Sequence, residues 1–269
     1  MAAARLRATT ANRRYGTCYP LADRPWSIVL NSHLSYLQLL GFSDGGWGPR
    51  FMGGIVLTVE ISVCGYAVGI AFGLLGVWAK LSQRLPLTLL GGLYTTLVRA
   101  VPELLLIILL YYTGTAALES LLRQVGLGEA ISVNAFAAAV ATLGFVQGAY
   151  LTEVFRGAIQ SVPRGVSEAG RALALRPAQR FRLLILPLAL RHALPGMGNL
   201  WLAILKDSSL ISVVGFSELL FTGKQAAAAT KEYFFFFLAT AALFLVLTAL
   251  SNVVIGRLTR MTERGQVRT

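Results

Sequence analysis

Four acidic side chains stand inside stretches otherwise apolar enough for a membrane interior: Glu60, Glu103, Glu153 and Asp207. An ionised group at the bilayer centre costs roughly 2.5–3.5 kcal/mol on insertion scales and is turned toward a cavity or a partner. Glu153 has a local answer in Arg156, three residues on along the same helix face. Glu103 and Asp207 have none. Lys206 adjoins Asp207, but consecutive residues diverge by about 100° around a helix, so the two need not neutralise each other. Pro102, directly before Glu103, removes a ladder hydrogen bond and frees a carbonyl, which lipid tolerates only where a neighbour or cavity satisfies it. A kinked, acid-bearing spot at mid-membrane suits the passage of a cationic solute. The candidates for such a path are Glu60, Glu103, Asp207 and the adjoining Ser208.

Other constellations lead nowhere. Gly41, Ser43 and Gly45 match the spacing of a nucleophile elbow, but Gly46, Trp47, Gly48 and Pro49 follow where a helix is needed to strain the serine. Gly223 and Lys224 resemble the end of a phosphate-binding loop. Glu218 stands where its first glycine belongs, and Gln225 replaces the magnesium-holding hydroxyl. If ATP drives this protein, another chain binds it. Cys18 and Cys64 form no metal or disulfide framework, and Cys64 lies in an apolar run where a thiol packs as a small hydrophobe. Gly65, Gly69 and Gly73 recur every four residues, a stripe that lets a second helix approach closely.

The segment after Val162 has a different character. Pro163, Arg164, Gly165, Val166, Ser167, Glu168, Ala169, Gly170, Arg171, Ala172, Leu173, Ala174 and Leu175 read as a short amphipathic helix, closed by Arg176 and Pro177. Its small residues favour docking into a protein groove over lying on lipid, where bulky apolar anchors are expected.

These residues need a membrane-embedded scaffold, and the composition supplies one. Of 269 residues, 55% are hydrophobic and only 13% charged, an apolar excess over the roughly 45–50% of soluble domains. Stretches at 51–79, 90–114, 134–160, 195–216 and 234–257 reach the roughly 20 residues that cross about 30 Å of hydrocarbon. The fold expected is an all-α integral membrane protein with about five transmembrane helices. The net charge of +12 sits in the connections and marks the cytoplasmic side rather than a nucleic-acid surface, since no basic groove with interleaved aromatics is present. Lys80 and Arg84, the arginines at 164, 171, 176, 180, 182 and 191, and those at 257, 260, 264 and 268 are then cytoplasmic. The mixed-charge connections around Glu119, Arg123 and Glu129 and around Glu218, Lys224, Lys231 and Glu232 face outward. An odd number of spans puts the N-terminus in the periplasm and the C-terminus in the cytoplasm. Arg5, Arg7, Arg13 and Arg14 oppose that placement under the same rule. The segment from Trp26 to Leu40, interrupted by Asn31, Ser32 and His33, is too weakly apolar to be a sixth span. Residues 1–36 therefore read as an extension outside the domain, accounted for by a start site assigned upstream. The transmembrane domain covers 37–260, with the long basic loop at about 161–190, and 261–269 form a cytoplasmic tail.

At that loop the sequence resembles the inner-membrane permeases of binding-protein-dependent ABC importers. Glu168, Ala169 and Gly170 match the start of their EAA signature, and Ile185, Leu186 and Pro187 its close. Two positions depart from it: Gly170 stands where a second alanine is usual, and Ala174 where glycine is usual. The run from Gly148 through Glu153 and Arg156 to Ala158, the run Lys206 to Leu210, and Arg99, Ala100, Val101, Pro102 and Glu103 are similar to the polar amino-acid branch, including histidine, arginine and opine permeases. The resemblance implies a subunit without catalysis or cofactor of its own, embedded in lipid of the bacterial inner membrane. It further implies a second permease (itself or a paralogue), a cytoplasmic ATPase that binds ATP and Mg, and a periplasmic solute-binding protein. The loop helix would couple to the ATPase through Pro163, Gly165, Glu168, Ala169, Gly170, Arg171, Ala172, Leu173 and Ala174. A permease for neutral amino acids is the alternative of the same architecture. A secondary transporter is the alternative of another class, and the inverted repeats it predicts are not evident.

Overall fold

The computed structural model describes residues 39–42, 46–124 and 134–263. The N-terminal arginines, most of the segment 26–40, Ser43 to Gly45, Glu129, Arg264 and Arg268 lie outside the described residues. The chain divides into two compact units, Met1–Gly48 and Pro49–Thr269, and every candidate of the path and the loop lies in the second.

Ten α-helices occur among the described residues: α1 (Gly48–Leu81), α2 (Leu85–Ala100), α3 (Glu103–Leu109), α4 (Thr115–Gln124), α5 (Ala135–Gln160), α6 (Arg164–Ala172), α7 (Pro177–Arg180), α8 (Leu186–Asp207), α9 (Leu219–Thr230) and α10 (Tyr233–Glu263). π-Helical turns at Leu110–Gly114 and Phe181–Ile185 join α3 to α4 and α7 to α8, and a 3-10 segment, Ser208–Val214, extends α8. Among the described residues, four helical stretches are long and apolar enough to cross a membrane: Gly48–Leu81, Ala135–Gln160, Pro177–Val214 and Tyr233–Met261. The pair Leu85–Ala100 and Glu103–Ala117 makes a fifth if counted as one broken span.

Two of the expected spans differ in detail. The stretch at 90–114 bends by 112° between α2 and α3, because Pro102 supplies no N–H to the ladder and holds Val101 in extended backbone, φ −94° and ψ 141°. The fourth span begins well before residue 195: the helical stretch Pro177–Val214 is 38 residues long. Pro187 comes just after the π-helical turn Phe181–Ile185, where the regular i→i−4 ladder is already interrupted, and Pro195 is carried inside the helix. At about 1.5 Å per residue the stretch exceeds the hydrocarbon thickness, so its α7 end extends beyond it.

The helices are assembled by side chains that leave little room. On α1, Gly65, Gly69 and Gly73 face α5: a Cβ at Gly69 would stand 3.2 Å from Gln147 Cβ, and one at Gly73 only 2.7 Å from Leu151 Cβ. Gly144 and Gly148 answer from α5, where added Cβ atoms would meet Val68 at 2.5 Å and Phe72 at 2.5 Å. The glycine stripe is thus a packing surface, matched by a second one that the α1 pattern alone does not reveal. Ile61, Ile107, Leu143, Ile204 and Ile211 form a buried cluster that joins α1, α3, α5, α8 and the 3-10 segment.

Candidate functional site

The bend at Val101 and Pro102 brings the start of α3 to α5 and to the end of α8. The carboxyl groups of Glu103 and Asp207 lie within hydrogen-bonding reach of each other. Gln147, buried on α5, donates from Nε2 to Asp207 Oδ2 at 3.1 Å. Its own Oε1 and Glu103 Oε1 are buried and accept no hydrogen bond among the described residues. A buried acceptor left unpaired costs about 1–3 kcal/mol, so this knot of oxygens is short of donors. A guanidinium or ammonium group brings donors and positive charge together.

Tyr150, one helical turn beyond Gln147, forms the adjacent wall. The Arg99 guanidinium carbon lies 5.8 Å from the centroid of its ring. Sequence reasoning named the two acids but missed Gln147 and Tyr150. The available signal for Gln147 was an amide in an apolar helix, flanked closely by Gly144 and Gly148 on a packed face.

Other charged candidates fall elsewhere. Both oxygens of Glu153 are used: Oε1 accepts from Lys80 Nζ, and Oε2 accepts from Arg156 Nε at 2.9 Å and from its terminal nitrogen at 2.8 Å. Lys80 also donates to Thr95 Oγ1 at 2.8 Å. Gly91 admits the lysine stem, since a Cβ there would stand 2.8 Å from Lys80 Cγ. This network ties α1, α2 and α5, and Lys80 is drawn into it rather than standing free in the connection. Glu60 is exposed on α1 and makes no hydrogen bond or ion pair among the described residues. Ser208 is fully buried, and its hydroxyl donates to the Leu205 carbonyl at 2.8 Å. That hydrogen bond turns it back onto its own helix.

The amphipathic loop segment forms α6, with Pro163 at its N-cap. Gly170 is buried against the helix that follows: a Cβ there would meet Leu184 at 2.8 Å and Arg180 Cγ at 2.9 Å. This contact explains why glycine stands at that position. Glu168, Ala169, Arg171, Ala172 and Leu173 remain exposed, Leu173 by 71%, as do Pro163, Gly165 and Ala174. The helix ends in a paired turn, with Leu175 N donating to Gly170 O at 3.0 Å and Ala174 N to Arg171 O at 2.9 Å. Ala174 accordingly takes φ +53°, the left-handed conformation that this turn requires and glycine adopts freely.

The connection after the 3-10 segment is more ordered than its mixed charge implies. Gly215, at φ +87°, turns the chain, and Glu218 caps α9. Glu218 is fully buried. Its carboxylate accepts from Leu220 N and Phe221 N, each at 2.8 Å, and Thr58 Oγ1 accepts from Leu219 N at 3.1 Å. Burial pushes the Glu218 carboxyl above its ordinary value; the two backbone N–H groups, Lys224 and Thr58 pull the other way.

The sequence model described as the binding-protein-dependent transport system inner membrane component matches residues 69–264. The nopaline transport system permease protein of Agrobacterium fabrum is 40% identical over 230 residues, covering 85% of this chain and 98% of the relative. The octopine transport system permease protein of Rhizobium meliloti is 37% identical over 235 residues, covering 87% and 98%. The histidine/lysine/arginine/ornithine transport system permease protein of Escherichia coli is 36% identical over 220 residues, covering 82% and 96%. Among solved structures, an amino acid ABC transporter crystallised with histidines superposes with TM-score 0.69 at 30% identity, over 80% of this chain and 95% of that one. The MetNI methionine ABC transporter superposes with TM-score 0.66 at 19% identity, over 80% and 97%, a likeness of fold.

Proposed function

The chain belongs to the family of binding-protein-dependent transport system inner membrane components, and from that premise we propose that its complex imports basic amino acids or opines. What carries the solute class is the meeting of Glu103, Asp207 and Gln147: a concentration of acceptors, partly unpaired, where a cationic side chain supplies the missing donors. The similar permeases for nopaline, octopine and for histidine, lysine, arginine and ornithine support the same class. Glu60 and Ser208 take lesser places in this reading, at the margin of the path.

The rest of the machine follows the family. A cytoplasmic ATPase binds ATP and Mg and receives the exposed face of α6, so that its closure pushes the loop from Pro163 to Ala174 and tilts the spans. A periplasmic binding protein delivers the solute, and a second permease, identical or paralogous, completes the path. The apolar helix α10 supports a lateral partner or lipid, since only 11% of its most apolar window is buried within this chain. In this arrangement the N-terminus is periplasmic, the C-terminus cytoplasmic, residues 1–36 an extension and 261–269 a tail. A permease for other polar amino acids is the second reading.

The test is uptake of arginine in proteoliposomes holding this chain with its co-encoded ATPase and binding protein. ATP-dependent uptake that Glu168→Lys abolishes in an intact complex is the expected result. Uptake without the ATPase would mark a secondary transporter, and uptake of neutral amino acids alone would sink the cationic class.

A further inference from the structure

Beyond the glycine stripe of α1, the ends of three spans enclose a space that no described side chain fills. α1 and α5 finish there and α8 begins, and between them lies a cavity of about 430 Å³, within the roughly 300–1,000 Å³ of small-molecule sites. Ala158, Ala189 and Ala193 form its buried floor, while Trp78, Leu186 and Leu190 stand exposed about its lip. Every lining side chain is apolar except Ser82 and the N–H edge of Trp78, and no acid is among them. Small buried residues beneath large exposed ones make a groove with depth, which the flat apolar face of a span does not have.

The mouth of the groove is basic. Ser82 and Phe181 mark the end at which α1 stops and the chain enters α8. Arg84 follows Ser82 by two residues, and Ser82 Oγ donates to the Arg84 carbonyl at 3.4 Å, while Arg182 directly follows Phe181. Both arginines are exposed, and their guanidinium groups make no hydrogen bond or ion pair among the described residues. Lys80 differs: Glu153 and Thr95 engage it, so that lysine and that carboxylate largely cancel. An apolar slot that ends at unpaired guanidinium groups complements a molecule with a hydrocarbon chain and an anionic head. Free phosphate matches the mouth alone and leaves the slot empty.

We infer that this groove binds an anionic phospholipid, with an acyl chain against Ala158, Ala189 and Ala193 and the phosphate received by Arg84 and Arg182. The inference is independent of the solute class and needs only that the chain lies in a bilayer. Its position gives the lipid a consequence. One wall is the last turns of α5, through Phe155 and Ile159, which lead by residues 161–163 into α6, and another is the start of α8, which is reached through α7. An acyl chain wedged there sets the separation of the helices on either side of the basic loop.

Trp78, on the lip, supplies the reporter. The assembled permease–ATPase complex is placed in phosphatidylcholine nanodiscs that contain the same small fraction of acyl-brominated phosphatidylglycerol or acyl-brominated phosphatidylcholine. The fluorescence of Trp78 is the difference between wild type and Trp78→Phe, and bromine quenches it only on close approach. The brominated phosphatidylglycerol should quench about fivefold more effectively than the brominated phosphatidylcholine, the worth of one cation beside an anionic headgroup, and the preference should shrink in high salt. Arg84→Gln combined with Arg182→Gln should bring the ratio close to one. Equal quenching by the two lipids in the wild type overturns the inference, whether or not the double variant assembles, because that is ordinary contact with the surrounding bilayer. Quenching by neither also overturns it and gives the groove to a protein chain, such as the second permease. A preference that survives the double substitution overturns the assignment of the phosphate to Arg84 and Arg182. No solute is present in this measurement, so its failure leaves the cationic reading standing, and failure of arginine uptake leaves the lipid site standing.

Discussion

Gln147 donates to Asp207 across 3.1 Å, tying the middle of α5 to the last residue of α8. The same Gln147 is what a Cβ on Gly69 of α1 would strike, at 3.2 Å. The polar knot and the glycine packing are therefore parts of one contact. Three helices meet where Gln147 lies, and a change in their spacing is felt at the acidic pair. The tilting of the spans proposed above would reach the proposed solute path through this contact.

Glu103→Gln removes the negative charge while keeping the size of the side chain. A cationic solute loses a charge-assisted partner, and a neutral one loses little, so uptake of arginine should fall about tenfold relative to a neutral amino acid carried by the same complex. Competition uptake in proteoliposomes reads the ratio. Equal losses for both solutes would assign Glu103 to bracing the bend after Pro102.

The facing glycines make a prediction that needs no solute. Gly148→Ala would place a Cβ 2.5 Å from Phe72 Cβ and 2.7 Å from Tyr94 Oη, so α1 and α2 must both give way. Overpacking of this kind costs about 1–3 kcal/mol and should lower the thermal midpoint of the complex. Gly157→Ala, on the same helix but with nothing within 4 Å of the new Cβ, should be neutral or slightly stabilising, since alanine is the better helix former by about 1 kcal/mol. Equal behaviour of the two variants would contradict the packing described.

What the sequence made legible followed from one-dimensional signals. Apolar run length marked the membrane stretches, Pro102 marked the break, the spacing of Glu153 and Arg156 gave their pair, and the loop residues led to the family. The fourth span was expected from residue 195, whereas the helical stretch begins at Pro177. Pro187 comes just after the π-helical turn Phe181–Ile185, and α8 carries Pro195 without ending. Glu218 was read as a loop charge because its burial depends on Thr58, 160 residues away. Lys80 likewise meets Glu153 across 73 positions. Gln147 escaped for the same reason: its meaning comes from Asp207 on another helix, and no local period encodes that.

Ala174 holds φ +53° in the turn that closes α6, at the position where glycine is usual in the family it resembles. A non-glycine residue in this conformation costs about 1–2 kcal/mol. Glycine relieves that strain and gives back part of the gain through the greater freedom of the unfolded chain. Ala174→Gly should therefore steady the end of α6 by about 1 kcal/mol. Hydrogen exchange at the Ala174 and Leu175 amides, the two that close the turn, should slow. Faster exchange would show that the turn is held by something other than its backbone geometry.

Glu218 gives a pH dependence of defined sign. Burial, the largest influence, raises its folded value above the ordinary carboxylate value, so the folded state favours the proton more than the unfolded chain does. The stabilisation from that extra affinity is fully present below the unfolded value of about 4 and is lost as pH rises through the raised folded value. Glu218→Gln removes the titration and leaves the cap with a single acceptor oxygen where Leu220 and Phe221 offer two N–H groups. The difference in thermal midpoint, wild type minus Glu218→Gln, should accordingly grow as pH falls from neutral toward about 4, because only the wild type gains from protonation. Comparing the two proteins at each pH cancels the titration of the remaining carboxylates. A difference that shrinks as pH falls would mean that the backbone N–H groups, rather than burial, govern the Glu218 carboxyl.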